Sequence, residues 1–232
     1  MADSLLSIRR YPVKGMAGES LSTVEVDGRG LVGDRWFAVT DAQGHFASGK
    51  RTRRFRRHDE VFDYAARTVG DGVIVVGREG EWRVGEKALD SLLSERMGEP
   101  MQVLPEQAER HQDGGQISLI GSATLDWFSR RWDIDADPRR LRVNLVLETD
   151  EPFIEEAWVG TAIFVGEVRL NLVERVERCR TIDLDQDGVD ARGRWLKPLG
   201  EERDMCAAVY ADVLTAGQIS RGDRVERCLT SQ

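Results

Sequence analysis

The stretch VERVERCRTIDLDQDG, residues 173–188, places one cysteine between a strand-like run and an acidic loop. Apolar and polar residues alternate along the run that leads to Cys179, and the loop after it is rich in Asp and reaches Gly188. A thiol at the end of a strand is held in place yet accessible from the loop, which suits a metal ligand or a nucleophile. A free cysteine is also commonly a small buried hydrophobe. The stretch alone leaves both interpretations of Cys179 open.

Length and composition indicate a globular chain with a substantial core. Of its 232 residues, 41% are hydrophobic and 32% are charged, and the formal net charge is −8. The negative charge argues against general affinity for nucleic acid. No run reaches the ~18 apolar residues that a membrane span needs, and the apolar segment of MADSLLSIRRYPV is too short for a signal peptide. We therefore expect a protein that binds neither nucleic acid nor membrane.

The three cysteines show no C-x-x-C spacing and form no zinc pattern with the three histidines. An odd and sparse set of cysteines implies no disulfide framework and fits a reducing compartment, so we expect a cytoplasmic protein. Cys206 has an apolar setting and is predicted to lie in the core, whereas Cys228 carries no signal.

The first half of the chain has the pattern of short strands separated by turns. Strands are predicted over residues 5–13, 21–26, 35–40, 61–68, 72–77 and 81–84. The period then changes to that of a helix that ends at Gly98. The apolar face of this helix consists of Leu89, Leu92, Leu93 and Met97. Strands at this spacing suggest a small antiparallel sheet or barrel, and the polar residues 105–115 indicate a loop or linker.

Residues 50–58, KRTRRFRRH, form the most basic run in the chain, with six Lys or Arg in nine residues. Such a run is usually a solvated face or loop. Because it contrasts with the acidic remainder of the chain, a local anion site is the alternative. One aromatic residue, Phe55, and the lack of a recognition-helix period give little support to nucleic-acid binding.

The second half combines strands with a few helices. Ser122 is predicted to cap a helix whose apolar face carries Leu125, Phe128 and Trp132. Strands are predicted over residues 116–120, 141–147, 162–173, 209–214 and 223–227. In the strand 141–147, alternation places Arg142 and Asn144 together on the polar face. The chain is thus predicted to be mostly β, of the α+β class, with a domain boundary near residue 105.

The acidic loop at residues 183–194 opens like a calcium loop but does not finish like one. Its twelfth position, which should be a bidentate Glu, is Arg194, and no helix pair flanks the loop. A turn in which the Asp side chains bond their own backbone is the better account.

Several of these features occur in the same order in one known family. The segments that carry the resemblance are YPVKG (11–15), GLVGDRWFAV (30–39), LRVNLVLE (141–148), ERC (177–179) and VYADVLTAGQISRGDRV (209–225). They resemble MOSC proteins, in which a small N-terminal β-barrel precedes a MOSC domain, itself a β-barrel with a few helices. The resemblance covers nearly the whole chain and implies an N-terminal domain over residues 1–105 and a MOSC domain over residues 106–232.

The resemblance implies a molybdenum-cofactor protein similar to the bacterial and mitochondrial amidoxime-reducing components. In those proteins a cysteine thiolate ligates molybdenum beside the dithiolene of the pterin, and Cys179 stands at that position. The molybdopterin contacts that the resemblance implies are Lys14 and Arg35 at the phosphate, Arg142 and Asn144 at the pterin, and Ser122 at the start of its helix. The chain departs from the family at Gly15, which often is Ser, and at residues 175–179, which lack the proline and first cysteine of Pro-Cys-x-Arg-Cys.

Three functional hypotheses follow from the resemblance. The first is an oxidoreductase that uses a bound molybdenum cofactor to reduce N-hydroxylated or related N-oxygenated small molecules. No iron–sulfur cysteine pattern is present, so the electrons would come from a separate reductase. The second is a carrier or binding module that holds molybdopterin or sulfur on Cys179 without turnover. The third is a β-barrel module whose site has lost its function.

Overall fold

A computed structural model of the protein describes residues 2–228, and β-strands dominate this part of the chain. The strands are β1 (Ala2–Arg10), β2 (Val13–Lys14), β3 (Glu19–Leu21), β4 (Thr23–Asp27), β5 (Gly30–Leu31), β6 (Phe37–Asp41), β7 (Phe46–Ser48), β8 (Phe55–Arg57), β9 (Ala65–Val69), β10 (Gly72–Gly77), β11 (Gly80–Arg83), β12 (Met101–Pro105), β13 (Ile117–Gly121), β14 (Leu145–Thr149), β15 (Ala162–Val165), β16 (Val168–Glu177), β17 (Cys206–Thr215), β18 (Gly217–Ser220) and β19 (Val225–Arg227). The helices are α1 (Lys87–Met97), α2 (Ser122–Trp132), α3 (Pro138–Leu141), α4 (Ile154–Ala157) and α5 (Leu196–Arg203), with short 3₁₀ turns at Asp59–Asp63 and Arg180–Asp183. The mostly β, α+β class is confirmed.

An eight-stranded sheet carries the second half of the chain, in the order β19-β15-β16-β17-β13-β14-β1-β3. Its neighbouring strands run antiparallel, except that β13 and β14 run parallel. The first strand of the chain, β1, joins this sheet by pairing with β14, and β4 pairs with β18 in a smaller sheet. Strands from the start of the chain thus complete sheets of its second half. The division near residue 105 stays a prediction, and residue 1 and residues 229–232, at the outer ends of the two predicted domains, lie outside the described residues.

The strand β16 is tightly packed and fixes where the residues that follow it begin. Val168, Leu170 and Leu172 are fully buried and alternate with more exposed neighbours, as the period-2 pattern predicts. They pack with Val209 and Ala211 of the adjacent β17 in one hydrophobic cluster. Each buried aliphatic side chain of this kind contributes about 1.5–3 kcal/mol of transfer free energy. The chain therefore leaves β16 from a well-fixed position.

The first half of the chain forms its own hydrophobic cluster around α1. A five-stranded sheet, in the order β12-β6-β7-β8 with β2 beside β6, and a three-stranded sheet, β11-β10-β9, supply its strands. Leu89 and Leu93 of α1 are fully buried in this cluster. Gly98 ends the helix in the left-handed conformation, and its N–H donates to the Ser94 carbonyl at 2.9 Å. The predicted helix and its glycine stop are confirmed.

The strand predicted over residues 141–147 is wrong in its first half. Residues 138–141 form α3, which opens with Pro138 after an Asp137 side chain that accepts the Arg139 N–H. Arg142 then adopts a left-handed conformation with φ of 52°, and β14 begins only at Leu145. A four-residue helix is too short to show a 3.6-residue period, and the alternation of apolar residues over 141–147 resembles a strand.

Other element boundaries also differ from the predictions. Gly121, not Ser122, is the N-cap residue of α2, and the Ser122 hydroxyl instead accepts a hydrogen bond from the Thr149 N–H at 3.1 Å. The strand predicted over residues 61–68 starts at Ala65, after a 3₁₀ turn. The short helices α4 and α5 were not predicted. Within residues 2–228, no helix combines the length and the apolar character needed to cross a membrane.

The buried carboxylate of Glu155, in α4, provides a test of the packing around α2. Glu155 has no exposed surface. One of its oxygens accepts a hydrogen bond from the Thr124 hydroxyl at 3.0 Å, and the other has no partner within residues 2–228. Burial raises the pKa of Glu155. Because a raised pKa penalises the ionised carboxylate in the folded state, this side chain lowers stability as pH rises through that pKa. We expect Glu155→Gln to be more stable than the parent at pH 8, by about 1 kcal/mol or more, with a smaller difference at pH 4.5.

The neighbouring carboxylate provides a control with the opposite sign. The Glu156 carboxylate forms ion pairs with Arg175 at 3.0 Å and with Arg203 at 2.5 Å. Because Glu156→Gln removes the charge from both pairs, it should lower the free energy of unfolding at pH 8. Thermal unfolding of both variants at the two pH values checks the prediction. An advantage of Glu155→Gln that is equal at pH 4.5 and pH 8 would contradict it.

Candidate functional site

A cavity lies where the first strands of the chain meet the end of β16, and Cys179 lines it. The predicted site residues that line it are Lys14, Arg35, Arg142, Asn144 and Cys179. Ser122 is absent from this lining, since it lies at the start of α2 with its hydroxyl bonded to Thr149. The fold thus brings together residues separated by as many as 165 positions along the chain, from Lys14 to Cys179.

Cys179 lies just beyond the end of β16, as the sequence pattern indicates. The strand ends at Glu177, opposite Cys206 of β17, and the Arg178 N–H donates to the Met205 carbonyl at 2.8 Å. Cys179 itself has extended backbone and immediately precedes the 3₁₀ turn Arg180–Asp183. Its thiol is half-buried and lies 3.3 Å from the Thr181 hydroxyl oxygen. The thiol is therefore placed by the strand on one side and by the turn on the other.

Two arginines hold the backbone on either side of this thiol. The Arg178 guanidinium donates to the Ala207 and Leu141 carbonyls, both at 2.8 Å. The Arg180 guanidinium donates to the Gly49 carbonyl at 2.9 Å and forms a two-point contact with the Asp59 carboxylate at 2.7 and 2.8 Å. The Nη2 atom of Arg178 is buried and has no partner among the described residues. Arg178 thus lines the cavity with a hydrogen-bond donor that the protein itself does not use.

Lys14 brings a buried ammonium group to the cavity from β2. Its Nζ atom donates to the His111 carbonyl at 2.5 Å and to an Asp113 oxygen at 3.0 Å. Burial lowers the pKa of Lys14 to about 8, because the nearby Asp113 carboxylate only partly offsets the loss of solvent. The group is still charged at neutral pH, and it gains from any additional anion that comes close.

Arg35 and Arg142 approach the same aromatic ring. Both have positive φ values, 53° and 52°, and their guanidinium carbons lie 5.0 and 4.3 Å from the centroid of the Tyr11 ring. Arg35 forms an ion pair with the fully buried Asp34 and donates to the Arg142 carbonyl at 3.2 Å, while Arg142 donates to the Met16 carbonyl at 2.7 Å. Burial lowers the pKa of Arg142. For Arg35, burial acts in the same direction, but Asp34 raises its pKa above the ordinary value.

The Asn144 side chain forms hydrogen bonds that connect neighbouring strands beside the cavity. Its side-chain oxygen accepts the Ser118 N–H at 3.1 Å and the Ser118 hydroxyl at 3.0 Å, and its amide donates to the Arg9 carbonyl at 3.2 Å. These bonds join β13 and β1 to the residue that directly precedes β14. Because they occupy the oxygen and part of the amide, only one amide hydrogen remains for a ligand.

The charges around the cavity favour an anion. Its lining contains six cations, Lys14, Arg35, Lys50, Arg140, Arg142 and Arg178. The same lining contains two carboxylates, Asp113 and Glu177. This excess of positive charge occurs in a chain whose net charge is −8. Concentrated cations with little solvent around them create a strong local field for anionic ligands.

The basic run at residues 50–58 was predicted to be either a solvated surface or part of an anion site, and the structure shows a part of each kind. Lys50 lines the cavity, with its Nζ 4.4 Å from the centroid of the Phe55 ring. Phe55 is buried and anchors β8, whereas Arg51 and Arg53 are exposed. Arg54 forms an ion pair with Glu109 at 2.6 Å. One end of the run therefore belongs to the site, and the middle of it is solvated.

Sequence reasoning missed several lining residues. Arg178 had a signal, because it directly precedes Cys179, but Asp113 and Tyr210 had none that pointed to the cavity. The two glycines of residues 114–115 lie against the Tyr210 side chain, where a Cβ on either would come within 2.4–2.5 Å of one of its atoms. Burial raises the pKa of Tyr210, so its hydroxyl keeps its proton at neutral pH and can donate a hydrogen bond.

Two carboxylates of the acidic loop after Cys179 bond backbone groups in the loop or directly after it, whereas Asp187 accepts from the Arg9 guanidinium and the Gly18 N–H. Asp185 accepts the Ala191 N–H at 2.5 Å, and Asp183 accepts the Trp195 N–H at 2.7 Å. These bonds match the predicted turn in which Asp side chains bond backbone groups. Cys206 is half-buried at the start of β17, so the prediction of a core position is only partly met, and burial raises the pKa of its thiol.

The chain is similar in sequence to a curated protein and in fold to a solved structure. The chain is 24% identical over 255 aligned positions to the molybdenum cofactor sulfurase of Danio rerio; the match covers 86% of this chain and 30% of the relative's length. The crystal structure of the YuaD protein from Bacillus subtilis superposes with a TM-score of 0.51 at 11% identity and covers 98% of this chain and 96% of that one. YiiM from Geobacillus stearothermophilus aligns with a TM-score of 0.38 at 15% identity, over 50% of this chain and 55% of its own.

Family models match both halves of the chain. The model of the MOSC N-terminal beta barrel domain matches residues 2–100, and that of the MOSC domain matches residues 107–226, which contain the strand β16, Cys179 and the arginines that flank it. The chain belongs to the MOSC domain family.

Proposed function

We propose that this protein binds a molybdenum cofactor in the cavity at Cys179 and uses it as an oxidoreductase. The observation that carries the proposal is the combination of a half-buried thiol with six lining cations in one cavity. A soft thiolate suits a soft metal, and the cations suit the phosphate and the anionic dithiolene of molybdopterin. Family membership and the name of the curated relative, a molybdenum cofactor sulfurase, support the same cofactor.

The residues present fit such a group. Cys179 would provide the thiolate ligand, and the unused Nη2 donor of Arg178 is available to an anionic group beside it. Lys14, Arg35 and Arg142 would hold the phosphate through charge-assisted hydrogen bonds. Asn144 would position β13 and β14 below the cofactor through its bonds to Ser118 and Arg9. We leave Ser122 out of the proposed contacts, because it lies outside the cavity lining.

When bound, the cofactor would supply the two-electron chemistry that reduces an N-hydroxylated or related N-oxygenated small molecule to the corresponding amine-type product and water. The chain's own residues would exclude solvent and fix orientation, as their burial indicates. Tyr210 lines the same cavity, and its hydroxyl keeps its proton at neutral pH, so it would donate a hydrogen bond to a substrate oxygen. The electrons would come from a separate reductase in the same, cytoplasmic, compartment.

The experiment is to produce the protein in a host that makes molybdenum cofactor and to measure three quantities. These are molybdenum by elemental analysis, pterin by fluorescence after oxidation, and the reduction of benzamidoxime with reduced methyl viologen as the electron donor. We expect equimolar molybdenum and pterin together with turnover of the amidoxime. Well-folded protein with neither molybdenum nor pterin would contradict the proposal.

A second candidate function is a carrier that holds a persulfide sulfur on Cys179. The name of the curated relative, a sulfurase, favours this alternative, and a thiol next to Arg178 and Arg180 has cations to stabilise a persulfide anion. Intact-protein mass spectrometry distinguishes the two functions. A sulfur adduct on Cys179 that a reductant removes, in protein without molybdenum, would support the carrier.

A further inference from the structure

One carboxylate of the cavity lies where an anionic ligand would be expected. An Asp113 oxygen is 3.0 Å from the Lys14 Nζ atom and 3.7 Å from the Lys50 Nζ atom. Partial loss of solvent around the Asp113 carboxylate acts to raise its pKa, but the two lysines hold this pKa well below its ordinary range. The carboxylate is therefore ionised at every working pH. It already satisfies the pair of ammonium groups that would otherwise be available to a ligand.

The side chain of Asp113 can leave this position more easily than the backbone can. Its side chain is 45% exposed, whereas the Lys14 side chain is only 8% exposed. The backbone on either side is fixed, since the His111 carbonyl accepts from Lys14 at 2.5 Å and the glycines at 114–115 lie against Tyr210. A rotation about the Asp113 side-chain bonds would carry the carboxylate into solvent without moving the strands. Lys14, in contrast, has no comparable route out of the cavity.

We propose that the Asp113 carboxylate is an internal competitor, which occupies the Lys14–Lys50 end of the anion site and swings into solvent when the anionic group of a ligand binds. The proposal rests on the proposed function in that it takes the cofactor's phosphate as the natural ligand. Two anions that share one poorly solvated ammonium repel each other strongly, because screening there is weak. The carboxylate keeps Lys14 paired in the empty protein and reduces its apparent affinity for other anions.

The test uses inorganic phosphate as the probe and cofactor-free full-length protein. Titration calorimetry at pH 6.5 and low salt compares the parent with Asp113→Asn. At this pH, below the value of about 8 for Lys14, the lysine of the parent is charged. We expect the variant to bind phosphate about tenfold more tightly, the factor that a competitor present about 90% of the time imposes. Asp113→Ser provides a second variant, in case the amide of Asn bonds to Lys14's neighbours.

Two controls locate the effect. Asp71→Asn removes the same charge from an exposed carboxylate that pairs with Arg83 at 2.7 Å, away from the cavity lining, and should leave phosphate affinity unchanged. Lys14→Met should abolish phosphate binding both alone and combined with Asp113→Asn. Equal tightening by Asp71→Asn would reduce the effect to net charge and overturn the proposal.

The remaining outcomes are also decisive. Unchanged, weaker or absent phosphate binding by both Asp113 variants would show that the carboxylate only keeps Lys14 in place, and would overturn the inference. The proposed function is judged separately by molybdenum content. Tighter phosphate binding by Asp113→Asn in a protein that never retains molybdenum would preserve the competitor and remove the cofactor assignment. Full molybdenum retention by the parent, with phosphate affinity unchanged in Asp113→Asn, would support the cofactor assignment and overturn the competitor.

Discussion

Replacement of Cys179 by alanine is expected to reduce bound molybdenum to background, while replacement of Cys206 by alanine leaves it at the level of the parent. Cys179 is the cysteine that lines the cavity, and its thiol lies among cations. Only a deprotonated thiol ligates a metal, and alanine offers no ligand atom. Cys206 is similarly half-buried, but it lies at the start of β17 outside the cavity lining. The two substitutions thus remove the same chemical group from two environments.

Elemental analysis and pterin fluorescence on the same preparations check this result. The distinction between loss of the ligand and loss of the fold comes from thermal unfolding of cofactor-free samples. There we expect Cys179→Ala to change the unfolding free energy by about 1 kcal/mol or less, since the hydrogen bond of the thiol to the Thr181 hydroxyl, at 3.3 Å, is weak. Retained pterin without molybdenum would indicate that the cations hold the organic part by themselves. Equal molybdenum in the two variants would contradict the role of Cys179.

The parts of the fold that could be predicted are those with a repeated local pattern. The alternation at Val168, Leu170 and Leu172 identified β16, and the spacing from Leu89 to Met97 identified α1 and its glycine stop. Both patterns extend over two or more turns or pleats, so a single residue does not decide them. The position of Cys179 followed from β16, because the end of a well-defined strand defines where the next residues begin.

The parts that could not be predicted depend on single residues or on distant contacts. Arg142 has a positive φ, which no alternating pattern predicts, and this conformation ends α3 and directs the chain into β14. The pairing of β1 with β14 joins residues more than 130 positions apart, such as Ile8 and Leu145, and no local signal encodes it.

The residues of the candidate site also divide into those that a local sequence pattern identifies and those that it does not. Lys14, Arg35, Arg142, Asn144 and Cys179 were identified by short motifs, and they line one cavity. Ser122 was assigned to the cofactor contacts because it lies at the start of a helix. The sequence shows where that helix starts, but it does not show whether its first residues face the cavity. Asp113 lies in a polar segment without periodicity, where one carboxylate resembles any other. Its importance appears only when Lys14 is placed beside it in space. The contacts of all these residues with a cofactor remain proposals.

Replacement of Arg140 by methionine is expected to lower the free energy of unfolding by about 2–3 kcal/mol. Arg140 has no exposed surface, and its guanidinium donates to the carbonyls of Ile182, Arg192 and Gly193 at 3.0, 2.9 and 2.9 Å. It also lies over the buried Trp195 ring, 5.4 Å from its centroid. Methionine fills much of the volume but leaves the buried Ile182 carbonyl without a donor, and an unsatisfied buried group costs about 1–3 kcal/mol. The Arg192 and Gly193 carbonyls belong to exposed residues and can bond water instead, so their loss costs less.

The adjacent Arg139 is the matched control for this substitution. It lies on the same short helix, but its side chain is 38% exposed and pairs with Asp137 at 2.7 Å. Arg139→Met should therefore cost about 1 kcal/mol or less. Denaturant unfolding followed by tryptophan fluorescence measures both variants, and comparable losses would contradict the argument. Ile182 belongs to the turn that follows Cys179, so Arg140→Met should also loosen that turn. Faster hydrogen exchange at residues 180–183 in Arg140→Met than in Arg139→Met would connect the stability of the fold to the position of the thiol.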